Sequence, residues 1–209
     1  MNILETQRLI LRDFETDDLD ELYGLVYADP QVKSTWSAVT GTPEEIKKRF
    51  TTRYISPHSK FGLKAIVLKE TGQLIGLMGF QIHQRAEGEA ISYLLTREAP
   101  HRMVNYDPEF LEVELTYALG QAYWKKGYAL EMGQAMIVYG FKILGISRII
   151  QGVLNYNENS INLMRRLCFR IQQGLDGINM VGILDKGDVF PVAEPLDLKP
   201  KRIKPKVRR

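Results

Sequence analysis

The sequence predicts an α/β domain of the α+β kind, in which helices flank a mixed, mostly antiparallel central sheet. Two alternating apolar runs, residues 63–68 and 74–82, flank a Glu-Thr-Gly-Gln turn and predict an antiparallel hairpin. Residues 126–144 have the apolar periodicity of a long helix packed against a sheet. The predicted order is a strand, two helices, three or four antiparallel strands, a helix, a strand, a helix and strands, which favours helices over a mixed sheet.

The N-terminal part of the chain predicts one strand and two helices. Residues 8–14 alternate as a strand does. Thr16 is the expected N-cap of a first helix that ends near Pro30. Thr42 and Glu45 have the spacing of a capping box, with a proline between them in the first helical position, so they predict the start of a second helix.

Beyond the hairpin the pattern weakens over residues 85–108 and then becomes regular again. Residues 111–119 alternate and place Glu112, Glu114 and Thr116 on one face of a strand. The elements expected in this half are a short strand at 90–95, a strand at 111–119, a helix at 126–144 that stops at Gly145, a strand at 146–154, a helix at 157–167, and a hairpin that begins at 169–171 and returns near 189–192.

Composition limits the kind of protein that this can be. The 209 residues, 44% hydrophobic and 25% charged, fit one globular domain, which we expect over residues 1–194. No apolar run approaches the ~20 residues of a membrane span, and the N-terminus lacks a signal-peptide pattern, so we expect a cytoplasmic protein. Cys168 is the only cysteine, and three scattered histidines add little, so no disulfide and no metal site is expected.

The charge is concentrated at the C-terminus. The net charge of the chain is +3, but residues 195–209 alone carry +6, so the rest of the chain carries −3. A run rich in lysine and proline neither buries apolar surface nor continues a helix, so we expect a disordered tail. It is either a solubilising extension or a tether to the ribosome, RNA or another acidic partner, since clustered cations attract polyanions.

The segment from Tyr117 to Glu131 combines a strand, a short loop with Gly127, and the start of a long helix. Helix N-termini present unpaired N–H groups and the positive end of the helix dipole, and a glycine there allows a phosphate to approach closely. The segment is therefore either an anion site for a coenzyme or nucleotide, or a structural turn. It lacks the pattern of a P-loop.

Several motifs occur in order between residues 4 and 171. They are Leu4-Glu5-Thr6-Gln7-Arg8-Leu9-Ile10-Leu11-Arg12, Glu114-x-x-Tyr117-Ala118-Leu119, Tyr123-Trp124-x-Lys126-Gly127-Tyr128-Ala129-x-Glu131, and Asn157-x-x-Ser160 followed by Leu167-x-Phe169. This combination resembles the GNAT acetyltransferases, and within them it is similar to the RimJ/RimL branch, named for ribosomal-protein N-terminal acetyltransferases.

The resemblance implies a GNAT fold in which the strand of Glu114 splays from its neighbour and acetyl-CoA lies in the gap. It also implies cofactor-binding roles for main-chain groups at the pantetheine arm, for loop amides at the pyrophosphate, and for one asparagine. These are, in that order, Tyr117, Ala118 and Leu119; Lys125, Lys126, Gly127, Tyr128 and Ala129; and Asn157. Three residues depart from the family pattern: Trp124, Lys125 and Cys168, the last two where glycine is usual.

The implied activity is an acyl-CoA N-acyltransferase, which moves acetyl to a primary amine by direct attack in a ternary complex. The amine belongs to a protein N-terminus or to a small molecule. Glu114 is the expected proton acceptor with Glu112 in reserve, and Ser160 the expected donor to the thiolate. Residues 85–107 are expected to contribute to the acceptor pocket, and homodimers are common among such enzymes.

Other interpretations of the same residues stay open. Both glutamates are also typical of a solvent-facing strand, and Asn157 and Ser160 are good helix caps. Cys168, without an activating partner close in sequence, is expected to pack rather than to react. A non-catalytic acyl-CoA-binding or RNA- and ribosome-associated module on the same fold would carry the same cofactor motifs.

Overall fold

The computed structural model describes residues 2–35, 41–54, 60–82 and 110–188. Within these ranges eight strands form one sheet in the order β1-β2-β3-β4-β5-β6-β8-β7. All neighbours are antiparallel except β5 and β6, which run parallel. The mixed, mostly antiparallel sheet is therefore confirmed. The strands are β1 (Asn2–Glu5), β2 (Leu9–Arg12), β3 (Gly62–Leu68), β4 (Leu74–Gln81), β5 (Glu112–Leu119), β6 (Arg148–Leu154), β7 (Arg170–Gln173) and β8 (Asn179–Asp185).

Helices cover both faces of this sheet. On one face, α1–α3 bury Leu22, Val26 and Ile46 against the hairpin β3–β4. On the other face, Met132 and Met136 of α4 belong to the larger core cluster, which also includes buried side chains of α5. The helices are α1 (Asp18–Leu22) with a π-helical turn (Tyr23–Tyr27), α2 (Pro30–Thr35), α3 (Pro43–Arg49) with a π-helical turn (Phe50–Tyr54), α4 (Tyr128–Tyr139) with a π-helical turn (Gly140–Leu144), and α5 (Glu158–Arg166).

The two N-terminal caps differ in their outcome. The capping box is confirmed, because the Thr42 hydroxyl accepts from the Glu45 N–H (3.3 Å) and the Glu45 carboxylate accepts from the Thr42 N–H (2.8 Å). The N-cap expected at Thr16 is wrong, since α1 begins at Asp18 and has no side-chain cap. The buried Asp18 carboxylate instead accepts two hydrogen bonds from Arg12, at 2.6 and 2.7 Å, and this ion pair fixes the start of the helix.

The N-terminal region also contains two elements beyond those predicted. β1 precedes β2 and pairs with it, so the opening of the chain forms a hairpin rather than a single strand. The first helix ends at Tyr27, close to the expected position, but Pro30 then begins α2. The Asp29 carboxylate accepts from the N–H groups of Gln31 (2.8 Å) and Val32 (3.1 Å), which caps this short helix.

The hairpin at the C-terminal side of the sheet returns earlier than the sequence analysis predicts. The strand after β7 is β8, which begins at Asn179, so the return near residues 189–192 is wrong. Asp176 and Gly177 explain the difference. The Asp176 carboxylate accepts from the N–H groups of the two residues that follow Gly177, and Gly177 has the left-handed φ of 71° that a tight turn requires.

Three expectations fall outside the described residues: the short strand at 90–95, the acceptor-pocket role of residues 85–107, and the tail at 195–209. Among the helices that the structure describes, none is long and apolar enough to cross a membrane.

Candidate active site

A cleft of about 410 Å³ lies where β5 and β6 separate. The two parallel strands are paired at only three positions, the last of which joins Glu114 to Ile150. Beyond that pair β5 continues to Leu119 and β6 to Leu154, and both continuing segments line the cleft. We call the region around Glu114 and Ile150 the closed end of the cleft, and the region beyond Leu119 the open end.

The main chain of β5 contributes unequally to this cleft. The Gly120 N–H donates to the carbonyl of Ile75 in β4 (3.0 Å). In an antiparallel ladder, every second residue of a strand is hydrogen-bonded to the neighbouring strand. The main chain of Ala118 is therefore bonded to β4, whereas that of Tyr117 and Leu119 faces the gap. The Leu119 carbonyl already accepts from the Trp124 indole N–H (2.7 Å). Of the three residues expected to bind a pantetheine arm, Tyr117 offers the least encumbered main chain.

At the open end the chain turns sharply into α4. Gly127 is the N-cap, with a left-handed φ of 83°, and the first intrahelical bond runs from the Glu131 N–H to its carbonyl (3.0 Å). The helix has no side-chain cap, so the N–H groups of Tyr128, Ala129 and Leu130 have no partner within the helix. All three residues line the cleft, and their donors form a site suited to an anion.

Two lysines of this loop have different positions. Lys125 lines the cleft and has a φ of 59°, a conformation that favours glycine and accounts for the family preference at this position. Lys126 is absent from the cleft wall. Its carbonyl accepts from Arg8 (3.0 Å), and its ammonium lies 5.6 Å from the ring centroid of Tyr123. The side chain of Lys126 therefore packs beside the loop, outside the cleft.

Arg8, between β1 and β2, contacts the loop before α4, and sequence reasoning did not assign it a role. Its guanidinium donates to Glu131 (2.6 Å) and lies 4.5 Å from the ring centroid of Tyr128. Glu131 also accepts from the Arg8 N–H (2.8 Å) and the Thr6 hydroxyl (2.6 Å). Partial burial raises the pKa of Glu131, but these hydrogen bonds outweigh it and the net pKa is lowered. The ion pair holds the β1–β2 connection against the first turn of α4.

The loop fits a pyrophosphate on three counts. The first turn of α4 offers free N–H donors, and Lys125, which lines the cleft, adds positive charge beside it. The left-handed φ of 83° at Gly127 favours glycine, and a Cβ there would lie 3.3 Å from the guanidinium of Arg8. Arg8 and Glu131 are 123 positions apart in the sequence and belong to separate motifs. Their contact could therefore not be identified from the sequence.

Tyr117, Ser160 and Asn157 form a connected group on one side of the cleft. The Tyr117 hydroxyl donates to the Ser160 hydroxyl (2.9 Å). The Asn157 side chain accepts from the Ser160 N–H (3.1 Å) and donates to the Thr35 carbonyl (3.1 Å), so Asn157 acts as the N-cap of α5. Burial raises the pKa of Tyr117, although hydrogen bonds with Ser160 and Gln151 oppose it. Tyr117 therefore remains a neutral donor at physiological pH.

The acidic candidates separate in space. Glu114 lies in the wall at the closed end and is half-buried, whereas Glu112 is absent from the wall. Glu112 is instead in register with Arg148, two positions before the cleft begins. The structure thus brings together Glu114, Tyr117 and Ser160 with the loop at the open end, and it leaves Glu112 outside.

Cys168 is likewise absent from the cleft wall. It has a φ of 62° in the turn that ends α5, and with Lys125 it is one of two non-glycine residues with positive φ in the part of the chain that the structure describes. Both residues stand where the family pattern usually has glycine. The backbone of this chain therefore keeps the left-handed turns of that pattern without the glycines.

Comparison with known proteins identifies the family. The model of the acetyltransferase (GNAT) domain matches residues 8–170. The chain belongs to the GNAT acetyltransferase family. This acetyltransferase is 31% identical over 178 residues to the uncharacterized N-acetyltransferase p20 of Bacillus licheniformis, covering 84% of this chain and 85% of that protein. It is 27% identical over 173 residues to the uncharacterized N-acetyltransferase YoaA of Bacillus subtilis, covering 80% and 82%.

Solved structures share the fold of this acetyltransferase. A GNAT-family acetyltransferase from Bacillus anthracis superposes with a TM-score of 0.66 at 20% identity, covering 88% of this chain and 99% of that one. RimL, an alpha-N-protein acetyltransferase solved in complex with coenzyme A, has a TM-score of 0.63 at 15% identity, covering 88% and 98%. Acetyl-CoA is the cosubstrate of the family.

Proposed function

We propose that this acetyltransferase moves the acetyl group of acetyl-CoA to a primary amine by direct attack in a ternary complex. The observation that carries the proposal is the arrangement of one cleft. An anion-binding helix start lies at its open end, an acid lies at its closed end, and a phenol and a serine hydroxyl lie between them. The six residues of β5 from Glu114 to Leu119 span about 17 Å, which suits an extended thioester arm.

The proposed contacts of the cosubstrate follow from the free groups of the cleft. The N–H groups of Tyr128, Ala129 and Leu130 would hold the pyrophosphate, with Lys125 adding positive charge, while the Arg8–Glu131 ion pair holds the loop in place. The main chain of Tyr117 would bind the arm. Both the oxygen and the nitrogen of the Asn157 amide already form hydrogen bonds within the protein, to the Ser160 N–H and the Thr35 carbonyl. We therefore propose that Asn157 positions Ser160.

The chemistry needs a neutral amine, a polarised thioester and a proton for the departing thiolate. The thioester supplies the acetyl group: a C–N bond forms and the C–S bond breaks. Glu114 accepts the proton that the nitrogen loses, directly or through water, and later returns it to solvent. Ser160 donates a proton to the thiolate and regains one from solvent. Because Tyr117 donates to Ser160, the proton of Ser160 itself is left to point elsewhere.

The proposed acceptor is a protein N-terminus or a small-molecule amine. RimL, whose fold this chain shares, acts as an alpha-N-protein acetyltransferase, and another structural neighbour is a putative ribosomal-protein-serine acetyltransferase from Vibrio cholerae. The basic residues 195–209 are consistent with an acidic partner such as the ribosome. These features favour peptide N-termini as the first acceptors to test.

Isothermal titration with acetyl-CoA tests the cosubstrate site. Gly127→Trp places a bulky side chain at a left-handed position against Arg8, so binding should be lost. Gly177→Trp is the matched control, because Gly177 also has a positive φ but faces open space in the β7–β8 turn. Binding that is retained in Gly127→Trp would contradict the assignment of the loop.

Turnover tests the reaction. Release of free thiol from acetyl-CoA is followed with peptides that begin with serine, alanine or methionine, with spermidine and with glycine. Glu114→Gln should lower kcat about 100-fold or more, the usual contribution of a general base, while the exposed control Glu158→Gln leaves it unchanged. Acetyl-CoA binding without turnover of any amine would favour the non-catalytic module instead.

A further inference from the structure

One buried polar group in the cleft has no partner. Gln151 is the first residue of β6 after Ile150, where the pairing with β5 ends, and it lines the cleft. Gln151 is only 2% exposed. Among the residues that the structure describes, the side-chain carbonyl oxygen of Gln151 is the one buried side-chain polar atom that has no hydrogen bond.

An unpaired buried acceptor is unfavourable, and native proteins rarely keep one without a reason. A hydrogen bond with the Gln151 side chain opposes the rise that burial causes in the pKa of Tyr117, so this side chain lies beside the Tyr117 hydroxyl. Gln151 lines the cleft, so a group that enters the cleft can reach this side chain. The missing partner is therefore a hydrogen-bond donor that arrives with a ligand.

The position within the cleft selects between possible donors. The cosubstrate is anchored by its phosphates at the open end, so its thioester end reaches towards Tyr117 and Ser160. The thioester has a carbonyl oxygen and a sulfur but no N–H, and the nearest amide of the pantetheine arm lies two carbons back from the sulfur, on the side of the open end. The amine that attacks it brings N–H groups to the same place. The N–H donor at the closed end is thus the acceptor amine.

We infer that the Gln151 carbonyl oxygen accepts a hydrogen bond from the attacking amine and so makes the site specific for primary amines; this inference rests on the proposed function. A neutral primary amine has two N–H groups and one lone pair. The lone pair attacks the thioester, one N–H loses its proton to Glu114, and the second binds Gln151. A secondary amine has a single N–H, which Glu114 requires, so it leaves Gln151 unpaired. Gln151 is a positioning residue.

The experiment compares Gln151→Leu with the wild-type protein and with Gln173→Leu, a control on β7 outside the cleft wall. The probes are acetyl-CoA, an alanine tetrapeptide with a free N-terminus, and the same peptide N-methylated. For Gln151→Leu we expect the KM of the tetrapeptide to rise about tenfold, with the Kd of acetyl-CoA within twofold of wild type. The wild-type preference for the primary over the N-methylated amine, about tenfold or more, should shrink at least threefold in the variant.

Three results would overturn the inference. An unchanged preference and tetrapeptide KM in Gln151→Leu would show that the amine does not use this oxygen. A weaker Kd for acetyl-CoA with an unchanged tetrapeptide KM would assign the oxygen to an amide of the cosubstrate. Wild-type protein that binds acetyl-CoA but acetylates no amine would remove the proposed function itself. If Gln151→Leu does not fold, Gln151→Met removes the same acceptor with a flexible chain of similar length, and the same criteria apply.

Discussion

Replacing Cys168 by glycine should stabilise this protein. Cys168 follows Leu167, the C-cap of α5, and has a φ of 62°. Its N–H donates to the Arg165 carbonyl (3.1 Å), and the Phe169 N–H donates to the Met164 carbonyl (3.0 Å). These two bonds form a Schellman motif, in which the left-handed position is usually glycine.

The magnitude follows from two opposing effects. A left-handed conformation costs a non-glycine residue about 1–2 kcal/mol. Glycine avoids that cost but loses about 0.4–1 kcal/mol more conformational entropy on folding. The net gain for Cys168→Gly is therefore about 0.5–1 kcal/mol, which corresponds to a rise in Tm of about 1–4 °C for a chain of this size.

The comparison that isolates the backbone effect is with Cys168→Ala, which removes the thiol but keeps the Cβ. Thermal and urea unfolding, followed by circular dichroism, give the free energy of unfolding of all three proteins. The glycine variant should be the most stable. If it is no more stable than the alanine variant, the left-handed turn is not strained and the reasoning fails.

Further predictions concern the loop, the cleft and the sheet. Hydrogen bonds lower the pKa of Glu131, so its carboxylate stabilises the fold above about pH 4.3 and this stabilisation is lost as pH falls through the lowered pKa; urea unfolding of Glu131→Gln should depend less on pH below about 4.3. Tyr117→Phe and Ser160→Ala should each lower kcat about tenfold or more with little change in acetyl-CoA affinity. Because the two hydroxyls share one hydrogen bond, the double variant should lower kcat by less than the product of the two single reductions. A Cβ at Gly79 would lie 2.1 Å from the Gly62 carbonyl oxygen, so Gly79→Ala should lower the free energy of unfolding by about 3 kcal/mol, and a neutral result in urea would refute the close packing.

The sequence predicted the elements whose signals are local. The capping box at Thr42, the hairpin β3–β4 and the stop of the long helix at Gly145 each depend on a few neighbouring residues, and each is confirmed. The start of α1 was wrong because the ion pair of Asp18 with Arg12 outweighs a serviceable cap at Thr16, and that pair is visible only once the chain has folded.

Which residues line the candidate cleft was predictable in part for a similar reason, while their roles stay predictions. The loop around Gly127 and the half-buried Glu114 follow from motifs within one segment. What could not be predicted are contacts between distant segments. Arg8 meets Glu131 across 123 positions, and Gln151 becomes an unpaired acceptor only because β5 and β6 separate beside it.

The three paired positions that join β5 to β6 have a wider consequence. They are the sole ladder between a five-stranded half of the sheet, β1–β5, and a three-stranded half, β6–β8, in the part of the chain that the structure describes. Each half has its own hydrogen-bonded strands, and Val113 and Ile149 are paired and buried at the seam, so we expect their packing to influence the angle between the halves. Substitutions there would change the width of the cleft, and with it the size of the accepted acyl group, without altering any residue that touches a ligand.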